Sequence, residues 1–355
     1  MHFLAEHCQK VGGLLLVLED AYWFDSASWA LITEARKRLS PMLLVAASRP
    51  LGDETPEAYR QLTAYPTVTH LKLKPLEADD TIQLVCQRLG VAALPEPVVT
   101  LIQQQGEGHP FFSEELAFAL RDAGHIRIEG NQCYLSAESN DLSSLNFPTT
   151  IQGIITSRID RLSTPHQLTL KVASVIGRIF GVPLLQSIFP IMEQQQQIPD
   201  YLLALEGQEI TMPFRSEPEL AYIFKHALTQ EVIYSLMTFS QRQKLHQQTA
   251  EIYEAQFAGD LSSHYPLLAY HWRKAEDVVK ALSYLEKAGE QALRNYSNEE
   301  AITFFEQAIE IEKTADFHIS AARRAKWHLQ LGEALVLWNK YEAGRHHLEE
   351  GLELL

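Results

Sequence analysis

The chain is poor in cysteine, with three in 355 residues, at Cys8, Cys86 and Cys133. An odd, scattered set gives neither a disulfide framework nor the paired spacing of a zinc site. It fits a reducing, cytoplasmic setting. Long apolar runs are also missing. No stretch approaches the roughly 20 residues that span a bilayer, so no membrane role is expected. The opening segment, Met1-His2-Phe3-Leu4-Ala5-Glu6-His7, lacks the basic region and cleavage site of a secretory signal. Positive charge is in deficit, with 30 Lys and Arg against 45 Asp and Glu and a formal net charge of -15. That balance argues against general affinity for nucleic acid or anionic lipid.

Further absences concern chemistry. No Gly-Lys pair occurs. The G-x-x-x-x-G-K-S/T loop, which cradles phosphates on its backbone N–H groups, is therefore not in the sequence. No G-x-S-x-G elbow is present to support a serine nucleophile. Gly106-Glu107-Gly108 is too short for a dinucleotide fingerprint. Among fourteen histidines, His346-His347 form an adjacent pair. Adjacent residues of a helix point apart, so no metal ligation is expected there.

What is present begins at residues 14–20, Leu-Leu-Leu-Val-Leu-Glu-Asp. An apolar run of this kind predicts a central parallel strand buried on both faces. The carboxyl end of such a strand opens into the ligand crevice of a doubly wound sheet. Two acids at that point, Glu19 and Asp20, suit a Mg-nucleotide site, one holding the metal and the other orienting a water. A helix over about 26–39 follows, then a second buried strand over 42–48, ending at Arg49-Pro50. Alternation in Val68-Thr69-His70-Leu71-Lys72-Leu73 predicts a third, edge-type strand. Strands separated by helices imply right-handed βαβ units and a parallel sheet.

Helices are expected over 77–89, 97–105 and 113–122, broken at Gly106-Glu107-Gly108-His109-Pro110. Residues 125–128 and 133–135, joined through Glu129-Gly130-Asn131, predict a hairpin. A polar linker covers 136–146. Further helices are expected over 150–162, 167–176 and 222–237, with a loop at 193–197. Arg158, Arg161 and Lys171 on these helices give no unusual basic density. From about 262 the pattern is helical and repeats. Ala288-Gly289 is followed by Ala301, Phe305 and Ala308, and Leu331-Gly332 by Gly344, Leu348 and Gly351, at matching offsets 43 residues apart. Small residues mark close helix crossings, and a large one fills the hole between them, as in stacked helical hairpins.

These motifs, in this order, resemble the STAND-type ATPases. These are AAA+-like P-loop proteins of signal transduction with a C-terminal tetratricopeptide array, often attached to nucleotide cyclases, serine/threonine kinases or LuxR-type regulators. Residues 14–25 resemble the family's Walker B strand and its "hhhhEDhxWxD" continuation. Residues 43–50 resemble the sensor-1 strand, with Arg49 at the polar sensor position. Gly108-His109-Pro110-Phe111-Phe112 with Glu114-Glu115-Leu116 is similar to the lid motif "GNPFFhEEL". Residues 148–162 resemble the entry to a winged-helix unit. Residues 173–180 are similar to "AASVIGRxF", and 224–234 to "FxHALxxEVxY".

The resemblance implies a fold class: a partial α/β P-loop NTPase core with a parallel sheet, then a helical lid, a winged-helix-like unit and an all-α solenoid. The expected bounds are 1–75, 76–147, 148–245 and 262–355. It implies ATP or ADP with Mg as cofactor. Glu19 and Asp20 are then the catalytic and Mg-binding pair. Arg49, Gly108, Pro110 and His226 face the nucleotide, with Pro110 packing on the adenine and His226 reading the ADP β-phosphate. It also implies protein partners bound through the repeats, and a phosphate loop that should lie upstream of residue 1, in the same protein or in a separate chain. The expected function is a regulatory ATPase module, an internal piece of a larger regulator that is inactive by itself in hydrolysis. The alternative is a repeat scaffold with a vestigial ATPase segment.

Overall fold

Strand β1 (Leu14–Leu18) pairs in parallel with β2 (Met42–Ala46), in the register Leu14 to Met42 through Leu18 to Ala46. Helix α1 (Ser26–Arg38) connects them, as a parallel pair requires. The computed structural model describes residues 12–19, 21–24, 26–49, 57–136, 148, 150–217, 219–314 and 319–355. Among them the fold is mostly helical, with three small sheets. The chain divides into one unit of residues 72–258 and another formed by residues 1–71 and 259–355.

The sheet of β1 and β2 has one covered face. Leu18 and Leu44 join Ala21, Trp29, Ile32 and Leu62 in a core closed by α1 and α2 (Glu57–Thr63). Phe24 and Tyr59 flank the Trp29 ring at 5.5 and 5.1 Å. On the other face Leu15 and Leu43 are 61% and 64% exposed. The expectation of strands buried on both faces is therefore corrected: among the described residues the apolar run is covered from one side. The third strand is corrected too. Residues 68–77 form no strand, and Leu71 and Leu73 are almost fully exposed. Their period of two describes an extended chain, and a strand also needs a partner to pair with.

In residues 72–258, α3 (Ala78–Leu89), α4 (Glu96–Gly106) and α5 (Pro110–Asp122) pack around Val85, Val98, Ile102, Leu116 and Leu120. The hairpin β3 (Ile126–Glu129) and β4 (Gln132–Leu135) adds Ile126 to that core. A second core belongs to α6 (Ile151–Asp160), α7 (Thr164–Ile176), α8 (Val182–Ile188) and α9 (Ile198–Gly207). With them is an antiparallel sheet, β5 (Ile179–Gly181), β7 (Ala221–Phe224) and β6 (Thr211–Arg215), ordered 5-7-6. Helices α10 (Ala227–Ser235) and α11 (Phe239–Gln256) complete it.

Two sequence expectations change here. The helix over 222–237 is a strand, β7, followed by α10. Tyr222, Ile223 and Phe224 are residues that favour strands, and both edges of β7 are paired. The loop at 193–197 is a 3-10 turn over Met192–Gln197, tied by Gln195 Nε2 donating to the Phe189 carbonyl at 3.2 Å.

From Tyr265 the chain is helical: α12 (Tyr265–Lys274), α13 (Val278–Arg294), α14 (Asn298–Thr314), α15 (Ala321–Leu337) and α16 (Tyr341–Glu353). The small-residue repeat has a direct geometric meaning. A Cβ on Gly289 would lie 2.6 Å from the Phe305 ring, and one on Gly332 would lie 2.6 Å from Leu348 and 2.9 Å from the Gly344 carbonyl. In each hairpin the glycine admits the large residue sixteen positions later. Fully buried Trp272 and Trp327 anchor the segment.

Candidate functional site

The turn before α5 is built around Gly108. Its φ of +73° is left-handed, and a Cβ there would lie 2.4 Å from the Leu76 carbonyl. The Leu76 N–H donates to the Gly108 carbonyl at 2.8 Å, so the turn is stitched to the segment entering α3. Only glycine meets both demands. Pro110 then opens α5 in its first turn, where the missing N–H costs nothing. Phe111 follows, and its ring stacks on His226 with centroids 3.8 Å apart. His226 sits in the extended link between β7 and α10, as the N-cap residue of α10. The lid-like motif and the histidine, 118 positions apart from Gly108, therefore meet through one ring contact.

The His226 Nε2 is buried and has no hydrogen-bond partner. Burial, then the charges of Lys225, Arg88, Arg178 and Arg158, pushes its pKa down to about 4. The ring is neutral at pH 7, so one of its nitrogens carries a hydrogen and the other a lone pair. An unpartnered ring nitrogen beside these cations can donate to an acceptor, and a phosphate oxygen is one such acceptor.

Around this point lies a buried ion network. Arg88 Nε donates to Glu114 Oε1 at 3.0 Å, and Lys225 Nζ lies 3.9 Å from Glu114 Oε2 and also pairs with Glu209. At the adjacent acid on the same helix, Arg158 donates to Glu115 at 2.7 Å, and also to Asp122 at 3.0 Å and to the Gln208 carbonyl at 2.7 Å. Burial opposes the Arg158 charge, but Glu115 and Asp122 outweigh it and hold its pKa above the ordinary value. Burial lifts the Glu115 carboxyl, with Arg158 opposing. The guanidinium and the Lys225 ammonium both lie over the Phe118 ring, at 5.1 and 5.2 Å. Arg88, Arg158 and Lys225 were not among the site residues expected from sequence. Two adjacent acids inside the apolar run 111–120, Phe-Phe-Ser-Glu-Glu-Leu-Ala-Phe-Ala-Leu, were the available signal, because buried acids demand cationic partners.

The other expected residues lie in the other unit, at the carboxyl ends of β1 and β2. The Ala47 N–H donates to the Leu18 carbonyl and the Ala21 N–H to the Ala47 carbonyl, both at 2.8 Å, which fixes the two strand ends side by side. Glu19 is exposed there, and the Arg49 guanidinium lies 4.9 Å from the Tyr22 ring centroid. Asp20 lies outside the described residues. Glu19 and Arg49 therefore share one sheet edge, while Gly108, Pro110 and His226 form the second group.

Comparison with known proteins bears on these features. A domain of unknown function, DUF8739, matches residues 77–134, the segment of α3 to β4. An uncharacterised protein of Rhizobium meliloti is 28% identical over 312 residues, covering 86% of this chain and 28% of the relative. Adenylate cyclase type 10 of Rattus norvegicus is 22% identical over 272 residues, 65% of this chain and 16% of the cyclase. Among solved structures, a signal transduction ATPase with numerous domains and a tetratricopeptide repeat sensor, from Pyrococcus horikoshii, superposes with a TM-score of 0.52 at 10% identity. That match covers 99% of this chain and 51% of the archaeal one, and it shows the fold. The chain thus spans between about a sixth and a half of the length of the proteins it matches.

Proposed function

We propose that this chain is a module of a signal-transduction regulator of the STAND type, in which nucleotide state is read at His226 and transmitted to the helical repeats. The single observation that carries the reading is the His226 ring, seated on Phe111 beside Pro110, with a buried unpartnered Nε2 next to the ion network of Arg88, Lys225 and Arg158 with their acids. In this reading Pro110 meets the base and His226 donates to a phosphate oxygen. Glu19, with Asp20, offers the oxygen ligands that Mg prefers. Arg49, in the same unit as Glu19, offers a fixed cation of the kind that stabilises charge developing in phosphoryl transfer. When bound, Mg-ATP supplies the group whose hydrolysis resets such a switch. The fold likeness to an ATPase with a repeat sensor and the similarity to adenylate cyclase type 10 support the coarser reading, a signal-transduction regulator.

These 355 residues contain no G-x-x-x-x-G-K-S/T phosphate loop, so the backbone N–H cradle that supplies most of the phosphate grip in such sites is not among them. We infer weak nucleotide binding by the chain itself, in the millimolar range of about -4 kcal/mol. Calorimetry with ADP and Mg tests this, with Asp20→Ala and His226→Ala as controls. Weak binding that His226→Ala abolishes supports the switch. No heat at millimolar ADP favours the second reading, a repeat scaffold with a vestigial ATPase segment. The groove of about 400 Å³ beside Glu306, Glu310 and Lys313 in the repeats is the observation that recommends that reading. In both readings the repeats bind a protein partner.

A further inference from the structure

The last helical hairpin holds three donor atoms at the corners of a nearly equilateral triangle. His328 on α15 and His347 on α16 face each other with Nδ1 atoms 3.1 Å apart. Glu350 Oε2, one turn beyond His347, lies 3.0 Å from the first nitrogen and 3.2 Å from the second. All three side chains are half-buried.

The glycines of the repeat bring them together. Gly332 and Gly344 let the two backbones approach so closely that a Cβ on either would meet the other's carbonyl at about 3 Å. A Cβ on Gly351 would likewise meet the Ala325 carbonyl at 3.1 Å. His328 lies one turn before Gly332, and His347 and Glu350 fall between Gly344 and Gly351. His347 is the member of the adjacent pair that turns inward. His346, its neighbour, points out and reaches the other oxygen of the same carboxylate at 3.5 Å. Adjacent histidines were expected to point apart, yet both rings reach Glu350, and the second imidazole facing His347 comes from the preceding helix.

The triangle has the dimensions of a coordination sphere. Two donors bound tetrahedrally to zinc at about 2.0 Å lie about 3.3 Å from each other. Protons can join three such atoms only in pairs, whereas one cation among them contacts all three. Two imidazoles and a carboxylate form a borderline-soft donor set suited to zinc.

We propose that His328, His347 and Glu350 bind a zinc ion that clips α15 to α16. His346 steadies Glu350 from outside the triangle, and the fourth position is left for water or a donor from a partner. The site borders the groove lined by Glu306, Ile309, Glu310, Lys313, Leu331 and His347. Zinc would thus stiffen one wall of a surface suited to partner binding.

The test uses the full chain stripped of metal and titrated with zinc chloride in a calorimeter, followed by thermal melts. The expected result is one tight site and a raised melting temperature. In His328→Ala and His347→Ala the affinity should fall on the order of a hundredfold, against a small loss in His346→Ala. Cobalt(II) added to the wild-type chain should give the intense visible absorption of a tetrahedral site, which reads the coordination without any variant. Should the alanine variants unfold, His328→Asn and Glu350→Gln replace them, with circular dichroism as the folding check. Two results would overturn the proposal: no binding by the wild-type chain, or zinc and cobalt signals unchanged in a His328/His347 double variant, meaning that scattered surface histidines take the metal.

Discussion

At the residue scale the sharpest demands fall on Gly108 and Arg158. Gly108 combines a left-handed φ with a Leu76 carbonyl where a side chain would begin. Gly108→Ala should cost roughly 1–3 kcal/mol in urea unfolding and displace Pro110. Arg158 holds two acids and a carbonyl while 4% exposed. Replacing it with Met leaves Glu115 buried without its partner, a loss of roughly 3–5 kcal/mol. The Arg158→Met, Glu115→Leu double variant should recover part of that loss, because it removes the stranded charge as well. Denaturant titration of the three proteins separates the cases, and equal stabilities throughout would contradict the ion-network account.

Acid response also belongs to single residues. His226 and His271 both have pKa values pushed down to about 4, His271 by burial. An unfolded histidine titrates near 6.5, so the unfolded chain binds more protons between pH 6.5 and 4. The stability these neutral rings contribute is complete above pH 6.5 and is lost as pH falls through that window. The slope is up to about 1.4 kcal/mol per pH unit for each fully buried ring, and less for the partly exposed His226. Replacing His271 with Gln should flatten the acid limb measured by guanidinium unfolding at successive pH values.

At the element scale the repeat hairpins depend on what the glycines lack. Gly332→Val would press a branched side chain into Leu348 and the Gly344 carbonyl. It should destabilise the α15–α16 pair by roughly 1–3 kcal/mol or more. Because His328 and His347 face each other across that same crossing, it should also weaken zinc binding. A variant that melts like wild type and binds zinc like wild type would contradict the close-crossing account. The Thr238 capping box gives a smaller, independent check. Its hydroxyl accepts from the Gln241 N–H while Gln241 reaches back to the Thr238 N–H at 2.9 Å, so Thr238→Ala should cost about 1 kcal/mol in unfolding free energy.

Much at this scale was legible in the sequence. The apolar runs gave β1 and β2, and the small-residue offsets gave the sites of contact in the repeats. What was not legible had tertiary causes. Residues 68–73 alternate like a strand but have no partner strand. Residues 222–224 read as the first turn of a helix, yet pairing with β5 and β6 puts them in β7. That second difference matters for the site, because the break between β7 and α10 is what seats His226 against Phe111. Gly108, Pro110 and His226 were legible as a motif set, whereas Arg88, Lys225 and Arg158 come from distant segments and have no local pattern. His328 escaped notice for the same reason, since its partners sit on the next helix.

At the scale of the whole molecule two kinds of surface are joined in one chain. One unit contains a charged junction with an unpartnered histidine. The other contains a small parallel sheet with Glu19 and Arg49 at one edge, and a helical array with a groove and a candidate zinc clip. No helix among the described residues is long and apolar enough to cross a membrane. The central claim is that His226 reads nucleotide phosphate. The most direct measurement is the pKa of His226 by NMR of the labelled imidazole, with and without millimolar Mg-ADP. A phosphate at Nε2 offsets the surrounding cations and favours the protonated ring, so the account predicts an upward shift from about 4 that other histidines do not share. An unchanged His226 titration at saturating ADP would contradict it.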